Sequence, residues 1–249
     1  MTRWRRFRRV LAALGVVVVL ALVAFGVWAN MVMQGERTAS IAVWTDPAVS
    51  VTSTDHSVVL APTGEASAKK DQHRGLVFVP GAKVDPYAYM YKLSGLVDEY
   101  GVTVVITKPT LNLALLDTRP LATFEADAPD VDSWFVGGHS LGGVRACMLA
   151  DSPSVDGLIL FGSFCATDLS DAAIEVVSIT GSDDGLSTPT KITDAAAELP
   201  TSATFVEIAG ANHASFGDYG IQPGDGTATI SSEDARDQIT AALAGTFGP

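Results

Sequence analysis

The chain has 249 residues, 47% of them hydrophobic, which is ample for one sizeable core and a single domain of about 200 residues. Five of its 16 basic residues lie in the first nine positions, so the remainder carries 11 bases against 28 acids, a formal charge of −17. Such a domain is a poor partner for nucleic acid or for an anionic membrane surface, and charge says nothing of its fold.

The N-terminal stretch MTRWRRFRR holds those five arginines and no acid, and Val10–Ala29 follows almost wholly apolar. Twenty helical residues span about 30 Å, the thickness of a bilayer's hydrocarbon core. Residues 1–9 are therefore expected as a basic cytoplasmic tail and 10–33 as a transmembrane anchor, with the rest of the chain outside the cytoplasm. A cleaved signal peptide, cut after Val27-x-Ala29, is the rival, although its apolar region is ordinarily only about 7–15 residues long. Residues 34–40 read as a short polar tether and 41–249 as one domain.

Apolar runs then alternate with helical patterns. Strands are expected at Ser40–Trp44, Ser57–Leu60, 74–81, 102–107, 133–138, 155–163, 172–182 and 203–210, with a Gly/Ser/Lys loop at 64–70. A helix should start at Asp85-Pro86, a good N-cap followed by a favoured first helical residue, and stop at Gly101. Further helices are expected at Leu111–Leu116, Leu141–Ala150, 190–199 and Ser231–Ala244, the last with Ser231 and Asp234 at capping-box spacing. Val/Ile-rich strands alternating with helices predict an α/β fold: a mostly parallel central sheet with helices on both faces. Cys147 and Cys165 are expected either as a disulfide, which an exported domain permits, or as two buried thiols.

Residues 136–148, VGGHSLGGVRACM, join a strand to a helix through Gly138-His-Ser140-Leu-Gly142. A nucleophilic serine at such an elbow needs neighbours without Cβ atoms and a helix N-terminus aimed at developing negative charge. It also needs a base. His56 and His73 lie in polar stretches before the third strand, and His139 is inside the elbow, where it should pack locally. His213 directly follows the last strand, on the same sheet edge as Ser140, and is the candidate base. The acid should follow a strand between them: Asp183 or Asp184 in SITGSDDG, with Asp168 in reserve. Two backbone N–H groups should hold the oxyanion, Leu141 after the serine and Ala82 in VPGAKVDP, with Lys83 next in line.

With FVPGAKVDPYAY, GGHSLGG, GSDDG and GANHASFGDYG in view, residues 57–245 resemble the alpha/beta-hydrolase superfamily, in particular its small, dienelactone-hydrolase-like bacterial branch. The resemblance implies Ser140 as nucleophile, His213 as base and Asp184 as acid, with no cofactor and no metal. Only residues 164–171 separate the sixth core strand from the next, so a helical lid should be minimal or absent. An open, shallow site disfavours long tails that need a buried tunnel. Pro80-Gly81 stands where many relatives have His-Gly, so no lipase specificity is implied, and the serine at the elbow excludes a cysteine nucleophile.

The function expected from this is a membrane-anchored, extracytoplasmic serine hydrolase, a carboxylesterase acting on small soluble esters through an acyl-enzyme. Thioesterases and acyltransferases use the same machinery, and a non-catalytic binding protein on a hydrolase fold is the reading from another class. Asp218 and Asp225 suggest a metal only weakly; support of the His213 loop is the better expectation for that glycine-rich turn.

Overall fold

The structure, a computed structural model, describes residues 2–68 and 73–248. Its first element, α1 (Thr2–Asn30), is one continuous helix with its valines and leucines facing outward. It is long and apolar enough to cross a membrane, a test that signal sequences also pass. The second helix, α2 (Arg37–Trp44), corrects the sequence reading of a strand at Ser40–Trp44. Only Val43 of its apolar residues is buried, while Ile41 and Trp44 face outward. Five residues are too few to separate a period of 2 from one of 3.6.

Eight strands form one sheet: β1 (Val49–Ser53), β2 (Ser57–Pro62), β3 (Arg74–Val79), β4 (Thr103–Thr107), β5 (Ser133–His139), β6 (Val155–Phe161), β7 (Glu175–Gly181) and β8 (Thr204–Ile208). Their order is β1-β2-β4-β3-β5-β6-β7-β8. β2 runs antiparallel to both its neighbours and every other pair is parallel. The remaining helices are α3 (Gly64–Ala68), α4 (Met90–Tyr100), α5 (Ala122–Glu125), α6 (Leu141–Leu149), α7 (Pro189–Asp194), α8 (Ser232–Ala242) and α9 (Ala244–Phe247). The loop expected at 64–70 thus begins as a helical turn, and its end lies outside the described residues.

The central strands of the sheet are buried on both faces. In β2 and β3, Val58, Leu60, Leu76 and Phe78 enter one core, packed on α4 residues Leu93, Leu96 and Val97. The intervening Val59 and Val77 enter a second core with Val136, Leu158 and Leu160. Such two-sided burial is why these strands read as continuous apolar runs. Asp85 accepts from Tyr87 N–H (3.0 Å) ahead of α4, and Gly101 ends that helix at φ 68°. Ser231 caps α8 by accepting from Asp234 N–H (3.0 Å).

A further expectation is corrected. Leu111–Leu116 is not a helix but two short 3₁₀ turns, because Leu111 (φ 55°) and Asn112 (φ 56°) are left-handed. Asn112 is held there by its partners: its carbonyl accepts from Lys83 N–H (2.8 Å) and its side-chain amide donates to the Ala29 carbonyl (3.1 Å). Residues 33–36 are bonded to the domain through their backbone. Met33 N–H donates to the Lys83 carbonyl (2.7 Å), Asp85 N–H to the Met33 carbonyl (3.0 Å) and Glu36 N–H to the Asp218 carbonyl (2.6 Å).

Residues 162–174, between β6 and β7, contain no helix, so no lid covers this edge of the sheet. Cys147 of α6 and Cys165 of that segment, 18 positions apart in sequence, form a disulfide with Cα atoms 5.6 Å apart. It fastens α6 to the chain leaving β6. By the entropy of closing such a loop, Cys147→Ser combined with Cys165→Ser is expected to cost about 3 kcal/mol, measured by urea unfolding with and without reductant.

Candidate active site

The site grows from the carboxyl ends of β5, β6, β7 and β8. β5 delivers Ser140, whose backbone lies at φ 52°, ψ −124°, a conformation L-residues rarely adopt. Neighbouring bonds impose it: Ser140 N–H donates to the Phe161 carbonyl (3.1 Å), and the Ser140 carbonyl accepts from Ser163 Oγ (2.7 Å) and Gly143 N–H (3.0 Å). The chain then folds back so tightly that a Cβ on Gly138 would lie 2.4 Å from the Gly142 carbonyl carbon. One on Gly142 would lie 2.1 Å from the Val79 carbonyl oxygen. Glycine at both positions is thus a condition of bringing β3's exit against the start of α6.

β8 leads to His213, which is fully buried. Its Nδ1–H donates to Asp184 Oδ2 (2.8 Å), and the other carboxylate oxygen accepts from Leu186 N–H (2.8 Å) and Ser187 N–H (2.7 Å). A carboxylate in that network only accepts, so the imidazole carries its proton on Nδ1 and leaves Nε2 as a bare acceptor. Nε2 has no hydrogen-bond partner among the described residues. Ser140 Oγ makes no hydrogen bond to it in this structure. Such contacts commonly tighten only once substrate is bound.

His213 packs over the corner made by the ends of β5 and β6. Its ring lies 4.4 Å from that of His139, and a Cβ added to Gly162 would come within 3.2 Å of its Nδ1 and 2.9 Å of Asp184 Oδ2. Gly162 (φ 47°) is thereby required twice, for its backbone conformation and for this approach. Asp183 is directed elsewhere, its carboxylate accepting among the described residues only from Ser182 Oγ (3.3 Å). Asp168 accepts on Oδ1 from Ser170 N–H and hydroxyl, which hold its carboxyl below the usual range, and the carboxylate bonded to His213 is that of Asp184.

Asp225 fixes the backbone of the His213 loop. Oδ1 accepts from His213 N–H (3.0 Å), Gly185 N–H (3.1 Å) and Gly226 N–H (2.7 Å), and Oδ2 from Ala214 N–H (2.9 Å). One side chain therefore joins the loop of the acid to the loop of the histidine. Asp218 pairs with the buried Lys92 instead (2.7 Å). No group of three potential ligands for a metal occurs among the described residues.

Two backbone N–H groups at this edge have no protein partner among the described residues: Leu141 N–H at the start of α6 and Ala82 N–H after β3. Lys83 N–H, by contrast, is engaged by the Asn112 carbonyl. Gly81 N–H donates to the Tyr89 hydroxyl (2.9 Å), which in turn shares a hydrogen bond with His139 Nδ1 (2.9 Å). Burial keeps the Tyr89 hydroxyl protonated. Burial first, and the adjacent His213 second, push His139 well below the usual histidine range. His139 is thereby held in its neutral form beside the His213 ring.

Tyr89 and Gly162 escape a sequence reading. Tyr89 lies in a turn, Pro86–Tyr89, that presents an ordinary tyrosine, and nothing in PYAY signals a hydroxyl beneath the Gly81 amide. Gly162 gives one faint signal, a glycine directly after an apolar strand.

No curated protein matches the chain. Several solved structures share its fold at low identity. A serine hydrolase without a lid, XC6422 from Xanthomonas campestris, aligns with a TM-score of 0.56 at 15% identity over 82% of this chain and 97% of its own. Carboxyl esterase 2 from the fungus Tuber melanosporum aligns at 0.58 and 13% identity, over 87% and 90% of the two chains. A CIB-like hydrolase from Thermoplasma acidophilum aligns at 0.55 and 12%, over 79% and 97%. The profile of the alpha/beta hydrolase family matches residues 75–237, from β3 through the loop of His213 into α8. With its eight-stranded sheet, its serine at a strand-to-helix elbow and no lid after β6, the chain belongs to the alpha/beta hydrolase family.

Proposed function

We propose that the protein is a serine carboxylesterase that works through Ser140, His213 and Asp184, held at the outer face of a membrane by α1. The observation that carries this reading is the fully buried Asp184–His213 pair, whose Nε2 lacks a partner among the described residues, at the same sheet edge as a serine at φ 52°. Ser140 Oγ attacks the ester carbonyl carbon while its proton passes to His213 Nε2. The oxyanion is met by the N–H groups of Ala82 and Leu141. The carbon–oxygen bond to the alcohol then breaks as His213 returns the proton to the leaving oxygen. Water, deprotonated by the same nitrogen, releases the acid and restores Ser140. Structural relatives include a carboxyl esterase and a lidless serine hydrolase, and the absence of a helical lid after β6 leaves the site open.

The anchor reading is supported by Ala29, which is fully buried and whose carbonyl accepts from Asn112. A signal sequence discarded at that point has no need of such contacts. The test is covalent labelling of the full chain in detergent with a fluorophosphonate. Stoichiometric labelling is expected, and its loss in both Ser140→Ala and His213→Ala. A folded wild type that takes no label overturns the reading and leaves a binding protein on a hydrolase fold.

A further inference from the structure

We infer that the catalytic face rests on the outer leaflet and that the ester substrate is a membrane-borne amphiphile entering from the plane of the bilayer. This rests on the esterase and anchor readings above. The apolar run ends at Ala29, so a helix crossing about 30 Å of hydrocarbon brings Trp28 and Ala29 to the outer boundary. Ala29 is fully buried against the domain there, through the amide of Asn112. The Asn112 turn is thus fixed at headgroup level.

That turn is one bond from the oxyanion loop. Asn112's carbonyl accepts from Lys83 N–H (2.8 Å), and Lys83 Nζ lies 4.1 Å from the centre of the Trp28 ring. Lys83 immediately follows Ala82. The same exit segment also reaches the histidine loop, through Glu36 N–H and the Asp218 carbonyl. Both loops that build the site are therefore fastened to the point where the chain leaves the membrane.

The surface at this level is suited to lipid. In a domain of charge −17, residues 28–35 and 109–116 carry no charge at all. Leu111 (38%), Leu115 (48%) and Leu116 (45%) are exposed there beside Trp28 (48%) and Met31 (66%). A tryptophan with a lysine over its ring is a common arrangement at a membrane–water interface. Contact is made by leucines, so the acidity of the domain does not oppose it. The missing lid also acquires a reason: a tail that stays in the bilayer needs no tunnel in the protein. Hydrolysis consumes one water, breaks the acyl carbon–oxygen bond and releases an acid and an alcohol, of which the apolar one remains in the leaflet.

The experiment uses the full chain in phosphatidylcholine vesicles with two esters of one fluorogenic alcohol: methylumbelliferyl acetate, which stays in water, and methylumbelliferyl palmitate, which resides in the vesicle. Both should be hydrolysed, and Leu115→Ser with Leu116→Ser should lower palmitate turnover about ten-fold while acetate turnover stays within about two-fold. An environment-sensitive fluorophore on Leu115→Cys should be quenched by lipid-borne nitroxide, and one on Ser202→Cys, beside the start of β8, should not. Acetate hydrolysis without palmitate hydrolysis, equal loss on both esters, or an unquenched fluorophore at 115 overturns the inference and leaves the esterase reading standing. Hydrolysis of neither ester by the folded wild type overturns both.

Discussion

Asp184→Asn is expected to lower kcat by about four orders of magnitude while leaving the fold intact. Asp184 receives three donors: Leu186 N–H and Ser187 N–H on one oxygen and His213 Nδ1–H on the other. An asparagine keeps the backbone pair only by presenting its carbonyl oxygen to it, which turns its amide N–H toward the imidazole. Nδ1 must then become an acceptor, and the ring's proton moves to Nε2, the atom required to take the proton of Ser140. Geometry is preserved and the chemistry is lost.

The neighbouring Asp183→Asn supplies the control, with kcat expected within about three-fold of wild type because its carboxylate meets only Ser182 Oγ among the described residues. Initial rates on a short-chain ester, with urea unfolding of each variant, check both outcomes. A large loss in Asp183→Asn with little change in Asp184→Asn would reassign the acid. Equal, modest losses in both would remove the serine mechanism altogether.

The difference between these two aspartates shows what a sequence of this kind carries. The sheet was legible because β3 through β7 are apolar runs bounded by glycine, proline and acidic residues, and burial on both faces makes such runs unmistakable. Ser140 and His213 were legible by their position after strand ends. Choosing between adjacent acids depends on which way a turn points one side chain, and here that follows from Asp225, some 40 residues away, receiving Gly185 N–H and His213 N–H together. Turns fixed by distant partners were the least legible. Leu111–Leu116 has helical composition, yet the Ala29 carbonyl and the Lys83 amide hold Asn112 at positive φ. The helix at Arg37–Trp44 was lost for a plainer reason: it buries one side chain, and one buried position has no period.

Lys92→Met is expected to destabilise the protein by about 3–5 kcal/mol. Lys92 is 1% exposed on α4, and its ammonium donates to Asp218 Oδ1 (2.7 Å), to the Ser232 carbonyl (2.9 Å) and to the Ser232 hydroxyl. Burial pulls the ammonium below the usual lysine range, and the Asp218 carboxylate opposes that fall. Removing the cation strands a carboxylate that is itself 5% exposed and already has one oxygen, Oδ2, without a partner. An unpaired buried charge costs more than the pair contributed, so adding Asp218→Asn to Lys92→Met should recover about half of the loss. The damage should also reach the reaction. Asp218 N–H donates to the Ala88 carbonyl (2.7 Å) and its carbonyl holds Glu36, so this residue pins the far end of the loop that carries His213. Urea unfolding measures the first effect and ester kinetics the second. A Lys92→Met variant as stable as wild type would mean that the ion pair, though buried, contributes nothing net to joining α4, α8 and the histidine loop.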